Sequence, residues 1–310
     1  ALVGRQLHLF AIQHKAGILH PVGVAADRRA QEGAIALIAL HIIAAQAHVS
    51  ELTTWISSNV GSASSKVVIL KDGKDIVAAE VVQVGTGSTG PKKAIEAAFE
   101  ASGLKQEDIA FTVATGYGRF SLDADKQFSE ISCHAKGIFF LVPTARTIID
   151  IGGQDAKAIR LDNKGGIKQF FMNDKCAAGT GRFIEVMARV LETTLDEMAT
   201  LDELATDTAP ISSTCTVFAE SEVISQLSKG TSRNNIAKGV HMSVASRACG
   251  LAYRGGLEHD VVFTGGVAKN AGVVRAVSSV LKTDVIVAPN PQTTGALGAA
   301  LFAYEAANKK

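Results

Sequence analysis

Two stretches of this 310-residue chain are copies of one local pattern. The first runs Asn59-Val60-Gly61-Ser62-Ala63-Ser64-Ser65-Lys66-Val67-Val68-Ile69-Leu70. The second runs Asp150-Ile151-Gly152-Gly153-Gln154-Asp155-Ala156-Lys157-Ala158-Ile159-Arg160-Leu161. Superposed, Gly61 falls on Gly152, Lys66 on Lys157, Leu70 on Leu161 and Asn59 on Asp150. Each copy ends in a polar turn, Lys71-Asp72-Gly73-Lys74 and Asp162-Asn163-Lys164-Gly165. A strand, a tight Gly/Ser turn and a second strand, used twice, predict two similar half-domains with one nucleotide between them.

The chemistry of such a loop is specific. A Gly/Ser turn between strands points backbone N–H groups and hydroxyls at phosphate oxygens, and Gly is needed where a side chain would block the approach. Gly61, Ser62 and Lys66 are therefore the expected phosphate ligands of the first loop, and Gly152 and Gly153 those of the second. Asp150 is the expected Mg²⁺ group, acting through water, because Mg²⁺ keeps much of its hydration shell. Gln154 and Asp155 are candidates for positioning an attacking water.

A third segment, Val261-Val262-Phe263-Thr264-Gly265-Gly266-Val267-Ala268-Lys269-Asn270, reads as strand, Gly-Gly turn and helix. A nucleoside can lie against such a turn beside a helix N-terminus, so Gly265, Gly266, Lys269 and Asn270 are adenosine candidates. The order phosphate 1, phosphate 2, adenosine resembles the superfamily of actin, Hsp70 and sugar kinases. No G-x-x-x-x-G-K-[ST] loop is present. Gly85-Thr86-Gly87-Ser88-Thr89-Gly90 formally matches G-x-G-x-x-G, but Pro91 follows at once, and the segment reads as a surface turn with Pro91 opening a helix.

Strand patterns lie at 66–70, 76–84, 110–114, 147–151, 156–161, 166–172, 260–264 and 284–288. Helical patterns lie at 92–102, 126–136, 181–192, 194–205, 217–228, 235–253, 271–281 and 294–307. Strand clusters followed by helices, occurring twice, predict an α/β fold of mixed sheets covered by helices. The expected layout is a first half-domain at 51–145, completed by the C-terminal helix at 290–308, and a second at 146–289. Residues 1–50 differ: they hold five of the eight histidines and only two acids, Asp27 and Glu32. They are read as an appendage outside the core.

Composition narrows the partners. Hydrophobic residues are 47%, charged residues 20% and the net charge +1, which favours a sizeable core and no nucleic acid. The apolar run Ala34–Ala47 falls short of the roughly 20 residues that span a bilayer, so no membrane role is expected. Cys133, Cys176, Cys215 and Cys249 are far apart with no C-x-x-C, which points to a reducing, cytoplasmic setting.

Cys176 and Cys215 each precede a helix and are flanked by small polar residues. That position lowers a thiol pKa and favours an anionic ligand. Two thiolates are too few for a Cys₄ iron–sulfur cluster. A two-fold dimer would supply four; a cluster held by all four cysteines of one chain is the alternative. Cys133 and Cys249 sit within helical patterns and read as small core residues.

Here a family resemblance enters. Asp150–Asp155, Asn173–Phe183, Ser212–Glu222, Thr264–Ala268 and Gly295–Ala300 together resemble the activators of 2-hydroxyacyl-CoA dehydratases, whose wider family includes the ATPase subunits of benzoyl-CoA reductase. The resemblance covers about residues 60–308. It implies an ATPase working as a homodimer, with ATP/ADP, Mg²⁺ and one [4Fe-4S] cluster between the subunits. It implies electrons taken from ferredoxin or flavodoxin and delivered at low potential to the dehydratase (component D), where a ketyl radical forms. By position, Cys176 and Cys215 would be the cluster ligands. The chain departs from the family at its first loop, where the usual Gly-Ile-Asp-Val-Gly-Ser becomes Ser57-Ser58-Asn59-Val60-Gly61-Ser62. Asn59 cannot supply the Asp charge, so nucleotide binding is expected to survive and hydrolysis to weaken. Two other readings fit parts of the pattern: a nucleotide-binding iron–sulfur redox sensor without turnover, and a small-molecule kinase.

Overall fold

The computed structural model describes residues 54–60, 63–85, 89–212 and 215–308. The appendage assigned to 1–50 and the phosphate ligands Gly61 and Ser62 lie outside the described residues. The chain folds in the order β1 (Thr54–Val60), β2 (Ser65–Lys71), β3 (Asp75–Val82), α1 (Thr89–Ser102), β4 (Ile109–Thr115), β5 (Lys126–Phe128) and α2 (Glu130–Leu141). There follow β6 (Thr147–Ile151), β7 (Ala156–Leu161), β8 (Ile167–Asn173), α3 (Gly181–Val190), α4 (Leu195–Glu203), α5 (Thr216–Ser228) and α6 (Arg233–Arg254). The chain ends with β9 (Val261–Thr264), α7 (Ala271–Leu281), β10 (Ile286–Val287) and α8 (Thr294–Asn308).

The internal repeat is a repeat of topology. The first sheet has the order β3-β2-β1-β4-β5, and the second, read from its other edge, β8-β7-β6-β9-β10. In both, the first three strands run antiparallel and the last two add in parallel. The register repeats as well: Asn59 lies opposite Lys66 in the first sheet, and Asp150 opposite Lys157 in the second. This is the duplicated α/β architecture expected from the loops, the fold of actin, Hsp70 and sugar kinases.

One expectation needs correction. The stretch 126–136 is not one helix: Lys126–Phe128 is a short strand alongside Val113–Thr115, and the helix begins after Ser129, whose hydroxyl caps it by accepting from Ser132 N. Pairing with β4 outweighs the local helical pattern, and the Ser N-cap sets the new start. The polar stretch before the first loop is the central strand of its sheet. Ser57 is fully buried there, and its hydroxyl donates to Ala296 O at 2.7 Å, which offsets the desolvation that would otherwise exclude it.

Packing joins the halves through two helices. The buried face of α1 packs Ala94 and Ala98 against Ile56, Val67, Ile69 and Ile109 on one side of the first sheet. The other side is covered by α8, whose Ala296–Ala303 segment meets Val68, Leu70 and Val113. Thus α8 leaves the second half and returns to the first. Helix α2 makes the opposite passage. Its Cys133 joins the α8 cluster, while Ala135 and Ile138 pack on Ile148, Ile159, Leu161 and Val262 of the second sheet. The second core gathers Phe183 and Met187 of α3, Val240 and Val244 of α6, Val273 of α7 and Phe263 of β9. Full burial of each large apolar side chain there contributes about 1.5–3 kcal/mol.

Candidate functional site

Between the halves lies a cleft of about 300 Å³. The first half lines it with Ala63, Ser64, Lys66 and Gln83, and α2 adds His134. The second half contributes Asp150, Gly152, Gly153, Gly265, Gly266, Lys269, Asn270 and Gln292 among others. Three segments far apart in sequence therefore meet in one cavity. Gln154 and Asp155 do not line it.

The second loop explains this geometry. Gly152 N donates to Asp155 O at 2.9 Å, closing the turn. The carbonyls of Gly152 and Gly153 then accept from Gly181 N and Arg182 N, at 2.9 and 2.7 Å. The first amides of α3 are thus bonded to the loop's own backbone. The third loop approaches just as closely. Gly265 has φ +88°, and a Cβ there would stand 2.3 Å from Ile151 O and 2.7 Å from Asp150 Oδ1. Only glycine allows the two loops to touch.

Asp150 joins the cleft lining to a buried charge cluster. Lys157, fully buried, has its Nζ 2.7 Å from Asp155 Oδ2, 3.0 Å from Glu130 Oε1 and 3.1 Å from Asp150 Oδ2. Burial alone would lower its pKa, but the three carboxylates outweigh that and hold it well above the usual lysine range. For Asp150, burial pushes upward, yet His134, Lys157 and Lys66 prevail and keep the carboxyl below its ordinary value. Glu130 is lowered in the same way, with Lys157 and then His134 overcoming desolvation. Asp155 goes the other way: burial, together with Glu130 and Asp150, raises it to about 6 despite Lys157. The Lys66 amine is pushed down by burial, against the pull of Glu130 and Asp150.

Sequence reasoning missed Glu130, His134 and Lys157 as members of this cluster. Lys157 was visible in the repeat as the partner of Lys66. Glu130 and His134 left one signal, their i, i+4 spacing, which puts both on one face of a helix. That signal is weak until the true start of α2 is known.

The cysteines divide into two kinds. Cys133 and Cys249 are fully buried, and burial pushes both thiols up to about 12. Such groups stay protonated and make poor metal ligands. Cys176 and Cys215 are half-buried. Cys215 is the N-cap residue of α5. Cys176 lies in the loop before α3, where Asn173 Nδ2 donates to Cys176 O at 2.9 Å and Ala178 O at 3.0 Å. Ser212 N, near Cys215, donates to Glu222 of α5 at 2.5 Å. Two cysteines are thus sealed in the core, and two, Cys176 and Cys215, are half-buried beside helix starts. Ser213 and Thr214 lie outside the described residues. No helix among the described residues is long and apolar enough to cross a membrane.

Comparison with known proteins agrees with the geometry. The pattern of the BadF/BadG/BcrA/BcrD ATPase family matches residues 59–303. The activator of lactoyl-CoA dehydratase from Anaerotignum propionicum is 88% identical over 253 residues, 81% of this chain and 98% of the relative. The (R)-2-hydroxyglutaryl-CoA dehydratase activating ATPase from Acidaminococcus fermentans is 56% identical over 253 residues, 81% of this chain and 97% of the relative. Among solved structures, the activator of the 2-hydroxyisocaproyl-CoA dehydratase from Clostridium difficile with bound ADPNP superposes with a TM-score of 0.79 at 52% identity, covering 84% of this chain and 96% of that one.

Proposed function

Because the chain belongs to the BadF/BadG/BcrA/BcrD ATPase family, we propose that it is the ATP-dependent activator of a 2-hydroxyacyl-CoA dehydratase, working as a homodimer. The observation that carries this reading is the bonding of α3 to the second phosphate loop through Gly181 N and Arg182 N. The loop that would hold phosphate and the helix that follows Cys176 are one mechanical piece. A nucleotide that changes the angle between the halves moves the thiol's surroundings with it. Such a shift is only as large as the nucleotide's differential affinity for the two arrangements.

Roles follow from position. Lys66, Gly152 and Gly153, with Gly61 and Ser62 of the first loop, surround the phosphates. Gly265, Gly266, Lys269 and Asn270 face the nucleoside. Asp150, buried and held ionised by its neighbours, suits a water-mediated hold on Mg²⁺. Cys176 and Cys215 of each copy hold the cluster, which supplies a single low-potential electron when bound. The exposed Val217 and Phe218 of α5 follow Cys215 closely, and Ile224 is exposed further along the same helix, an apolar surface that a second copy would cover. Ferredoxin or flavodoxin is the expected donor. At 88% identity to its Anaerotignum relative, a dehydratase of lactoyl-CoA is the first partner to try.

The test is anaerobic. The purified protein is expected to carry iron and acid-labile sulfide in a dimer, lost in Cys176→Ser and kept in Cys133→Ser. ATP hydrolysis should activate the reduced dehydratase, and Asn59→Asp should hydrolyse ATP faster than the parent. A colourless monomer that leaves the dehydratase inactive would remove this reading. Nucleotide binding with no phosphate release, with or without the partner, would favour the sensor.

A further inference from the structure

We propose that helix α4 is the jaw that closes on the nucleoside end of the cleft, and that Arg275, Asp202 and His241, none of which lines the cleft, are the positioning residues that hold it there. This deepens the nucleotide reading and rests on it. Leu195 and Asp196, the first two residues of α4, line the cleft beside Ile184, Lys269 and Asn270. Leu195 is 44% exposed there, an apolar side chain that a flat base would cover.

Polar ties, more than apolar packing, fix α4. Met198 is the one buried apolar side chain among its 9 residues. A second cavity of about 310 Å³ opens beside its C-terminal end, lined by Asp202, Glu203, Lys238, Met242 and Arg275 among others. The ties come from α7 and α6. Asn270 lines the cleft, but both ends of its amide are engaged. Its Oδ1 accepts from Val273 N at 3.1 Å, capping α7, and its Nδ2 donates to Leu195 O at 3.1 Å. Further along α7, Arg275 Nη2 donates to Ala199 O at 2.8 Å and to Asp202 Oδ1 at 3.2 Å. The other carboxylate oxygen, Asp202 Oδ2, lies 2.6 Å from His241 Nδ1 of α6.

The junction is a built one. Asp202 and His241 are both buried. Burial pushes the Asp202 carboxyl up, yet His241 and Arg275 outweigh it and keep it below its ordinary value, so the ionised acid accepts from both partners. A Cβ on Gly272 of α7 would stand 2.4 Å from His241 Nδ1 and 3.0 Å from Asp202 Oδ2, so α7 comes this close only at a glycine. Three helices thus meet at one carboxylate. It lies seven residues beyond Leu195, about 10 Å along the helix axis. A helix is stiff over that length, so holding its far end aims its near end at the cleft.

The full-length protein, purified without oxygen, is tested by its affinity for Mg²⁺-ADP. Leu195→Ala and Arg275→Ala should each bind about tenfold more weakly than the parent. Arg275→Lys keeps the charge facing Asp202 and should recover to within about threefold. The double variant should lose no more than about threefold beyond either single one, because Arg275 acts through Leu195. His241→Phe cannot bond Asp202 and should fall with Arg275→Ala; if it folds poorly, the decision rests on Arg275, whose side chain is 43% exposed. Losses that multiply in the double variant overturn the proposal, as does an affinity within about twofold of the parent's in Arg275→Ala or Leu195→Ala. A parent that binds no ADP would fell the nucleotide reading as well, whereas the other failures leave that reading standing.

Discussion

At the scale of single residues, the buried charges of the cleft oppose one another. Asp150 and Glu130 are kept ionised by Lys157 and His134, while Asp155 is raised to about 6, chiefly by burial. Linkage gives the sign. In the unfolded chain Asp155 titrates near its ordinary value of 3.8. Between that value and about 6 the folded protein holds a proton that the unfolded chain has lost. The Asp155 contribution to stability therefore falls as pH rises through this window and stays low above it. Asp155→Asn removes the contribution. Its unfolding midpoint should gain on the parent's as pH rises from about 4 to 6; a difference that does not move with pH would contradict the burial account.

At the scale of elements, the crossing of α2 and α8 sets how the halves meet. Backbones touch there. A Cβ on Gly298 would lie 1.7 Å from Cys133 O, and one on Gly137 would lie 2.0 Å from Thr294 O. Lys136 and Glu305 pair across the same crossing. Gly298→Ala should destabilise by about 1–3 kcal/mol through overpacking, measured by urea unfolding. Gly250, within α6, has nothing within 4 Å of its would-be Cβ, so Gly250→Ala should stabilise by about 0.5–1 kcal/mol through helix propensity. Equal effects at the two sites would show that the close crossing is not what constrains Gly298. Most elements are legible in sequence, including β6, β7 and α7 at their bounds. The miss at β5 has a plain cause: three residues carry too little pattern to announce a strand that exists only because β4 lies beside it.

At the scale of the whole molecule, two sheets of one topology line one cavity, and neither completes it alone. An ATP analogue at about 100 times its Kd should add about 2.7 kcal/mol of stability, a rise of roughly 5 °C or more in Tm for a chain of this size. Lys66→Ala in the first half and Gly153→Val in the second should each abolish most of that rise. Retention of the full rise in either variant would mean that one half binds nucleotide without the other.

Sequence alone determined the repeated β-turn-β units, the correspondence of Lys66 with Lys157 and of Asn59 with Asp150, and the likeness to dehydratase activators. These rest on short-range terms: period-two alternation, the glycines a tight turn demands, and the capping of neighbouring helices. Tertiary structure decided which acids gather around Lys157. Glu130 and His134 belong to no loop motif and reach this cluster because α2 is clamped between α8 and the second sheet. It also separated the thiols by burial, sealing Cys133 and Cys249 inside while leaving Cys176 and Cys215 within reach of solvent. Such long-range packing is the sum of many weak contacts between distant segments, and no local window of sequence contains it.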